Sequence, residues 1–289
     1  AWIDDNGEIL KEKGLLGIRL EKTTRADALS EFQIASSDDL TLFASVPSNV
    51  EFENPQTLDR LVVKISGVET DGLHLSGGRQ TLDNGTLTVK KESLTDLPPR
   101  LTMAKLPLLE KIFLEPGPFV QSDHEKIKHQ VEQILIDTDG TLLDRAAKLI
   151  HWVYANIEKR PVLSLPDALS TLENKEGDCN EHAALLAAMA RAAGIPARIE
   201  TGLVYMRGRF YYHAWNLLYL GKWVTADAVF DQLPADVTHL RFAIGTKQQA
   251  SLMGLIGKVR IQVIAEERAH PGANRREATR TNNGKPESL

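Results

Sequence analysis

One short segment sets most of what this chain can be. Asp178 stands where a helix N-cap would, Glu181 completes a reciprocal capping pattern three residues on, and the apolar stretch Ala183 to Ala193 runs to a stop at Gly194 and Pro196. The helix so bounded begins at Cys179, the only cysteine in 289 residues. A helix N-terminus leaves backbone N–H groups unpaired and carries roughly half a positive charge, so a sulfur in its first turn ionises more readily and attacks better. Free cysteines are more often small buried hydrophobes, so the partners decide between the two readings. A thiol enzyme needs an imidazole to take the proton and a third group to orient that ring.

Both are found downstream. Phe210 to Leu220 is rich in aromatic and branched residues, a strand signal, and Trp223 to Phe230 reads as its hairpin partner across Gly221-Lys222. His213 lies on one arm and Asp227 on the other. A two-residue loop would set Asp227 opposite Asn216, on the face away from His213, because side chains alternate along a strand. A three-residue loop, Leu220 to Lys222, sets it opposite Trp215, one diagonal step from His213, and is the expected arrangement. Asp231 is the rival acid.

Gly177-Asp178-Cys179-Asn180-Glu181-His182-Ala183, then Gly194-Ile195-Pro196-Ala197-Arg198, His213-Ala214-Trp215-Asn216 and Trp223-Val224-Thr225-Ala226-Asp227 together resemble the bacterial transglutaminase-like superfamily, with Cys, His and Asp spaced 34 and 14 positions apart. The resemblance implies a papain-like core in which Cys179 is the nucleophile, His213 the general base and acid, and Asp227 the residue that orients the imidazole. It implies acyl transfer or hydrolysis at a protein or peptide carboxamide through a thioester. The animal cross-linking enzymes carry Trp directly after the nucleophile and often Pro after the acid, where this chain has Asn180 and Ala228. Deamidation, peptide cleavage and cross-linking therefore all stay open. So do two other classes: a small-molecule acyltransferase resembling the arylamine acetyltransferases, and a non-catalytic binding module of a larger envelope protein. A true papain-type protease would place its His about 130 to 150 residues after the thiol.

His182, three positions after Cys179, could join Cys179, His213 and Asp227 around a metal, but structural zinc recruits several cysteines and a lone one reads better as a nucleophile. No metal and no cofactor is assigned. A net charge of −5 and the lack of a basic stripe with interleaved aromatics argue against nucleic acid as a partner, and no apolar run approaches the 20 residues a membrane span needs. One cysteine permits no intrachain disulfide. The first residue is Ala rather than Met, which reads as a trimmed or processed chain; localisation is left open, an extracytoplasmic setting among the options, with any signal segment absent from the chain as given. Oligomeric state is not legible.

The fold class expected is α+β in three parts. Residues 1–116 read as an antiparallel β domain, a sandwich or open barrel, with a hairpin around Asp5-Asn6-Gly7 and strands at Thr41 to Val46, Leu61 to Ile65, Leu73 to Leu75 and Gly85 to Lys90. After the Glu115-Pro116-Gly117-Pro118 connector, residues 117–265 read as the cysteine-protease-like core: a helix capped by Ser122 and Glu125, a second from about Asp144 to Ile157, a short third near Asp167 to Leu172, then the thiol helix packed on an antiparallel sheet. A strand from Val259 to Ile264 is expected to close that domain. Residues 266–289, polar and nearly free of apolar side chains, read as a disordered tail.

Overall fold

In the computed structural model of the chain, residues 2–4, 9–13, 19–24, 45–95, 97–98, 106–138, 140–160, 166–245 and 253–268 are described. The first hairpin pairs β1 (Trp2–Ile3) with β2 (Ile9–Lys13), and β3 (Arg19–Glu21) adds to it. The Asp5-Asn6-Gly7 turn and most of the 41–46 strand lie outside the described residues, which resume at Ser45 with the short β4 (Val46–Pro47).

Next come β5 (Leu58–Ser66), β6 (Gln80–Asp83) and β7 (Thr86–Lys90). Asn84 and Gly85, both at positive φ (47° and 73°), make the tight β6–β7 turn, which suits a right-twisted hairpin. Leu73 to Leu75 is not a strand. It follows the Asp71-Gly72 turn as irregular chain, and its one ladder-like contact is His74 N–H donating to the Phe242 carbonyl.

The helical layer contains a short turn α1 (Leu108–Lys111), then α2 (Glu125–Leu135), α3 (Leu142–Asn156), α4 (Ala168–Asn174) and α5 (Cys179–Ala192), with a two-residue parallel pair of β8 (Glu158–Lys159) and β9 (Glu176–Gly177) bracing the loop before α5. The cap of α2 differs from expectation: His124, not Ser122, accepts the Lys126 N–H, while buried Ser122 turns inward towards the Leu114 carbonyl. A side chain committed to the core cannot also cap. Thr141 and Asp144 cap α3 reciprocally, and Asp167 caps α4.

α5 is buried from Glu181 to Ala190. Its Leu185, Leu186 and Met189 fill the space between α2, α3 and α4 on one side and the sheet on the other, where Ala197, Ile199, Ala214 and Leu218 face it. Each fully buried Leu is worth about 1.5–3 kcal/mol. That sheet runs in the order β12-β11-β10-β13, formed by β10 (Ala197–Met206), β11 (Arg209–Tyr219), β12 (Trp223–Ala226) and β13 (Leu240–Ile244), with β4 also on β11. At Gly202 the β13 backbone comes so close that a Cβ would lie 2.0 Å from the Leu240 carbonyl oxygen.

The last strand, β14 (Arg260–Arg268), overturns two expectations. It does not close the sheet of the thiol domain; it pairs antiparallel with β5, giving a four-stranded sheet β14-β5-β7-β6. Its own residues explain this: Ile261 and Val263 are buried beside Val63 and Ile65, in a core that also takes in Leu203, Phe210, Leu240 and Phe242. It also extends through Glu266 to Arg268, which were expected in the tail; the remainder, 269–289, lies outside the described residues. One apolar core thus joins the early strands to the far end of the β10–β13 sheet, across the boundary expected near 116. Among the described residues no helix is long and apolar enough to cross a membrane.

Candidate active site

The start of α5 is built as its sequence implies. The Asp178 side chain accepts from the Asn180 N–H at 2.7 Å, and Glu181 accepts from the Asp178 N–H at 3.0 Å. Cys179 therefore occupies the first helical position, half-buried, among the backbone N–H groups of the first turn. Burial first, and then the neighbouring Asp178 carboxylate, push Glu181 up to about 7. Asn216 pins the helix to the sheet by donating its Nδ2 to the Ala183 carbonyl at 2.9 Å.

His213 sits in a gap. β10 pairs along one edge of β11, so β4 at Arg209–Phe210 and β12 at Asn216–Tyr219 share the other edge, and between them residues 211–215 have no strand partner there among the described residues. The hairpin register is the expected one: Tyr219 pairs with Trp223, leaving Leu220 to Lys222 as a three-residue loop with Gly221 at positive φ (105°). β12 stops at Ala226, and Asp227, bridged to Gln232, turns its carboxylate towards the gap. His213 Nε2 and Asp227 Oδ2 are 2.6 Å apart, both buried. The Cys179 side chain is a hydrogen-bond and charge partner of His213. With Nε2 committed to Asp227, Nδ1 is the ring nitrogen left for the sulfur. The three side chains singled out in the sequence are thus brought together.

Burial opposes charge on His213, but the Asp227 charge and hydrogen bond, with the Cys179 contact, outweigh it and push its pKa up to about 9. Burial likewise opposes ionisation of Asp227, and the two imidazoles on it overcome this, holding the carboxyl well below the usual carboxylate range. The second imidazole is His239, which the sequence reading missed. Its Nε2 lies 2.9 Å from the same Asp227 Oδ2. Oδ1 accepts from the Val229 and Phe230 N–H groups at 2.6 and 3.3 Å, so every lone-pair direction of Asp227 is used. No motif marks His239; the only local signal is the Asp236-x-Thr238 turn before it, in which Asp236 Oδ1 accepts from the Thr238 N–H and hydroxyl.

Asp231 is no rival: it pairs with His151 Nδ1 at 2.8 Å, outside this cluster. His182 does not join it either, its Nδ1 being 2.7 Å from the Asp178 carbonyl of its own helix. Among the described residues the group that could offer ligands to a metal is His213, Asp227 and His239. Their 2.6 and 2.9 Å separations are hydrogen bonds, shorter than the roughly 3.3 Å between two donors bound to one tetrahedral zinc at ordinary bond lengths. Trp215 is a core aromatic, buried and donating to Glu200 at 2.8 Å. Arg198, without a role in the sequence reading, stacks on Phe113 at 4.6 Å and lines two adjoining cavities of about 270 and 200 Å³. The larger also touches Arg191, about 18 Å along α5 from Cys179, so it stands apart from the thiol.

A capped helix presenting a lone thiol to a histidine and an acid on an antiparallel hairpin defines a general thiol-dependent enzyme fold of the cysteine-protease-like kind. Residues 129–228, which span Cys179, His213 and Asp227, match the family model of the transglutaminase-like superfamily. Among solved structures, a candidate cysteine protease from Cytophaga hutchinsonii is similar over 73% of this chain and 85% of its own, at 18% identity and a TM-score of 0.46. The periplasmic domain of TgpA from Pseudomonas aeruginosa is similar over 65% of this chain and 87% of its own, at 12% identity and a TM-score of 0.40. No curated protein matches the chain.

Proposed function

We propose that the protein transfers or hydrolyses an acyl group at a carboxamide or amide of a protein or peptide, through a thioester on Cys179. The observation that carries this reading is the convergence of the first-turn thiol on a buried His213 that is held by Asp227 at 2.6 Å. In the first step His213 holds the thiol proton as the sulfur adds to the carbonyl carbon, and the carbonyl oxygen takes up negative charge at the start of α5, where the Cys179 N–H is the natural donor. Collapse breaks the C–N bond. The proton on His213 passes to the departing nitrogen, releasing ammonia or an amine and leaving the thioester. Water or a second amine then attacks, His213 takes its proton, and the thiol is restored as that proton returns to sulfur. Water yields hydrolysis; a lysine amine yields a cross-link.

The test is incubation of the protein and of Cys179→Ala with a glutamine-rich protein, with and without a labelled amine. Ammonia release without label uptake supports hydrolysis, and label uptake supports transfer. Neither product, together with a sulfur inert to alkylation, would end the enzyme reading in favour of a binding module.

A further inference from the structure

We propose that His239 is a positioning residue of this site: a buried imidazolium, clamped between Asp236 and Asp227, that fixes the Asp227 carboxylate against His213 and limits how far that carboxylate strengthens His213 as a base. The proposal rests on the thiol reading above and extends it to a residue outside the matched segment 129–228.

The protonation state follows from what each ring nitrogen faces. Nε2 faces Asp227 Oδ2 at 2.9 Å, and Nδ1 faces the Asp236 carbonyl at 3.2 Å and Asp236 Oδ1 at 3.3 Å. All are acceptors, so a neutral tautomer would set a bare nitrogen lone pair against oxygen, fully buried. Both carboxylates are already occupied as acceptors: Asp236 Oδ1 by Thr238, Asp236 Oδ2 by Gln232 Nε2 at 3.0 Å, and Asp227 as described. Neither is left to carry the proton instead. The pKa of His239, pushed up to about 9 by its two carboxylate partners despite burial, agrees with this.

Asp236, His239 and Asp227 together then carry one net negative charge, as a lone Asp227 would, but with a cation held against the oxygen that His213 uses. The two imidazole centroids are 5.8 Å apart. At that distance a fixed positive charge disfavours protonation of His213, so Asp227 can orient the ring firmly without making it too strong a base to give the proton up. Aromatic walls keep the pair dry: Trp215 meets His239 edge-on at 5.2 Å, and Phe230 lies 5.3 Å from His213. The other charges nearby are Arg79, which donates to the Asp236 and His239 carbonyls at 3.0 and 3.3 Å with Glu92 beside it, and Arg241, paired with Glu200 at 3.0 Å. Those pairs are internally neutralised, and burial keeps His182, which also senses Asp227, from charging, so beside His213 itself the cation held on Asp227 is His239.

The experiment follows Cys179 alkylation by iodoacetamide against pH, with steady-state turnover, in the wild type, His239→Gln and His239→Leu. Gln keeps a donor to Asp227 and loses the charge, so the upper inflection assigned to His213 should rise by at least about half a pH unit, consistent with a like charge removed at this range. Leu also loses the donor, so kcat should fall by roughly 10- to 100-fold with KM little changed, the scale seen when a group behind a ligand or catalytic residue is removed. The imidazole 15N shifts of His239 should show both nitrogens protonated at pH 7.5 in the wild type, a readout that does not depend on any variant folding. A neutral His239, or folded variants with wild-type profile and kcat, would overturn the proposal. If the wild-type profile has no His213 inflection, or His213→Ala leaves it unchanged, the thiol reading itself falls and this positioning role falls with it.

Discussion

At the scale of single residues the site is a problem of buried charge. Asp227 can stay ionised with almost no solvent contact because four donors converge on it, two of them imidazoles. Replacing it with Asn keeps the shape and removes the charge that orients and stabilises protonated His213. Ammonia release by Asp227→Asn should therefore fall by about 10⁴ relative to wild type, and a loss smaller than tenfold would refute its role. The same groups set a pH dependence of stability. His213 and His239 are both raised to about 9 from an ordinary 6.5, so their contribution is whole below about pH 6.5 and is lost as pH rises through 9. Asp227 and Asp236 are lowered, so theirs is present above about pH 4 and is lost on further acidification. Unfolding temperature measured from pH 6.5 to 9.5 should fall; a flat curve would mean the imidazoles are not held as cations.

At the scale of elements, function depends on where strands stop. β12 ends at Ala226, opposite Asn216, and Val46 of β4 lies opposite Phe210, so among the described residues His213 falls in the interval of β11 between them. This was partly legible beforehand: the Asp178 and Glu181 caps fixed the first helical position, and the alternation argument required the odd loop that the hairpin has. The Ser122 cap was misjudged because a capping pattern cannot report that its serine is buried. β13 needs Gly202, where its backbone and that of β10 nearly touch. Gly202→Ala would force a methyl against the Leu240 carbonyl, one residue from His239. The expected result is a loss of about 3 kcal/mol or more in chemical denaturation, with slower Cys179 alkylation in the fraction still folded.

Across the whole molecule, the early strands are tied to the site. Arg79, in the turn before β6, donates to the Ala235, Asp236 and His239 carbonyls and pairs with half-buried Glu92, which in turn accepts from Thr225 on β12. Arg79→Ala would leave those carbonyls and a half-buried carboxylate without their partner, and leaving buried polar groups unsatisfied costs about 1–3 kcal/mol each. Calorimetry should show an unfolding temperature lower by several degrees; no change would mean the clamp is not structural. The sequence alone determined the helix that starts at Cys179, the hairpin that carries His213 and Asp227, and the mixed helix and antiparallel sheet class, because capping, alternation and loop length act over a few residues and leave local marks. Only the tertiary structure decided that the final strand crosses back to β5, that Arg79 reaches the 235–239 loop, and that His239 meets Asp227. Those are pairings between distant segments, chosen by which buried groups fit and neutralise one another once the chain has closed, and no short stretch of residues records them.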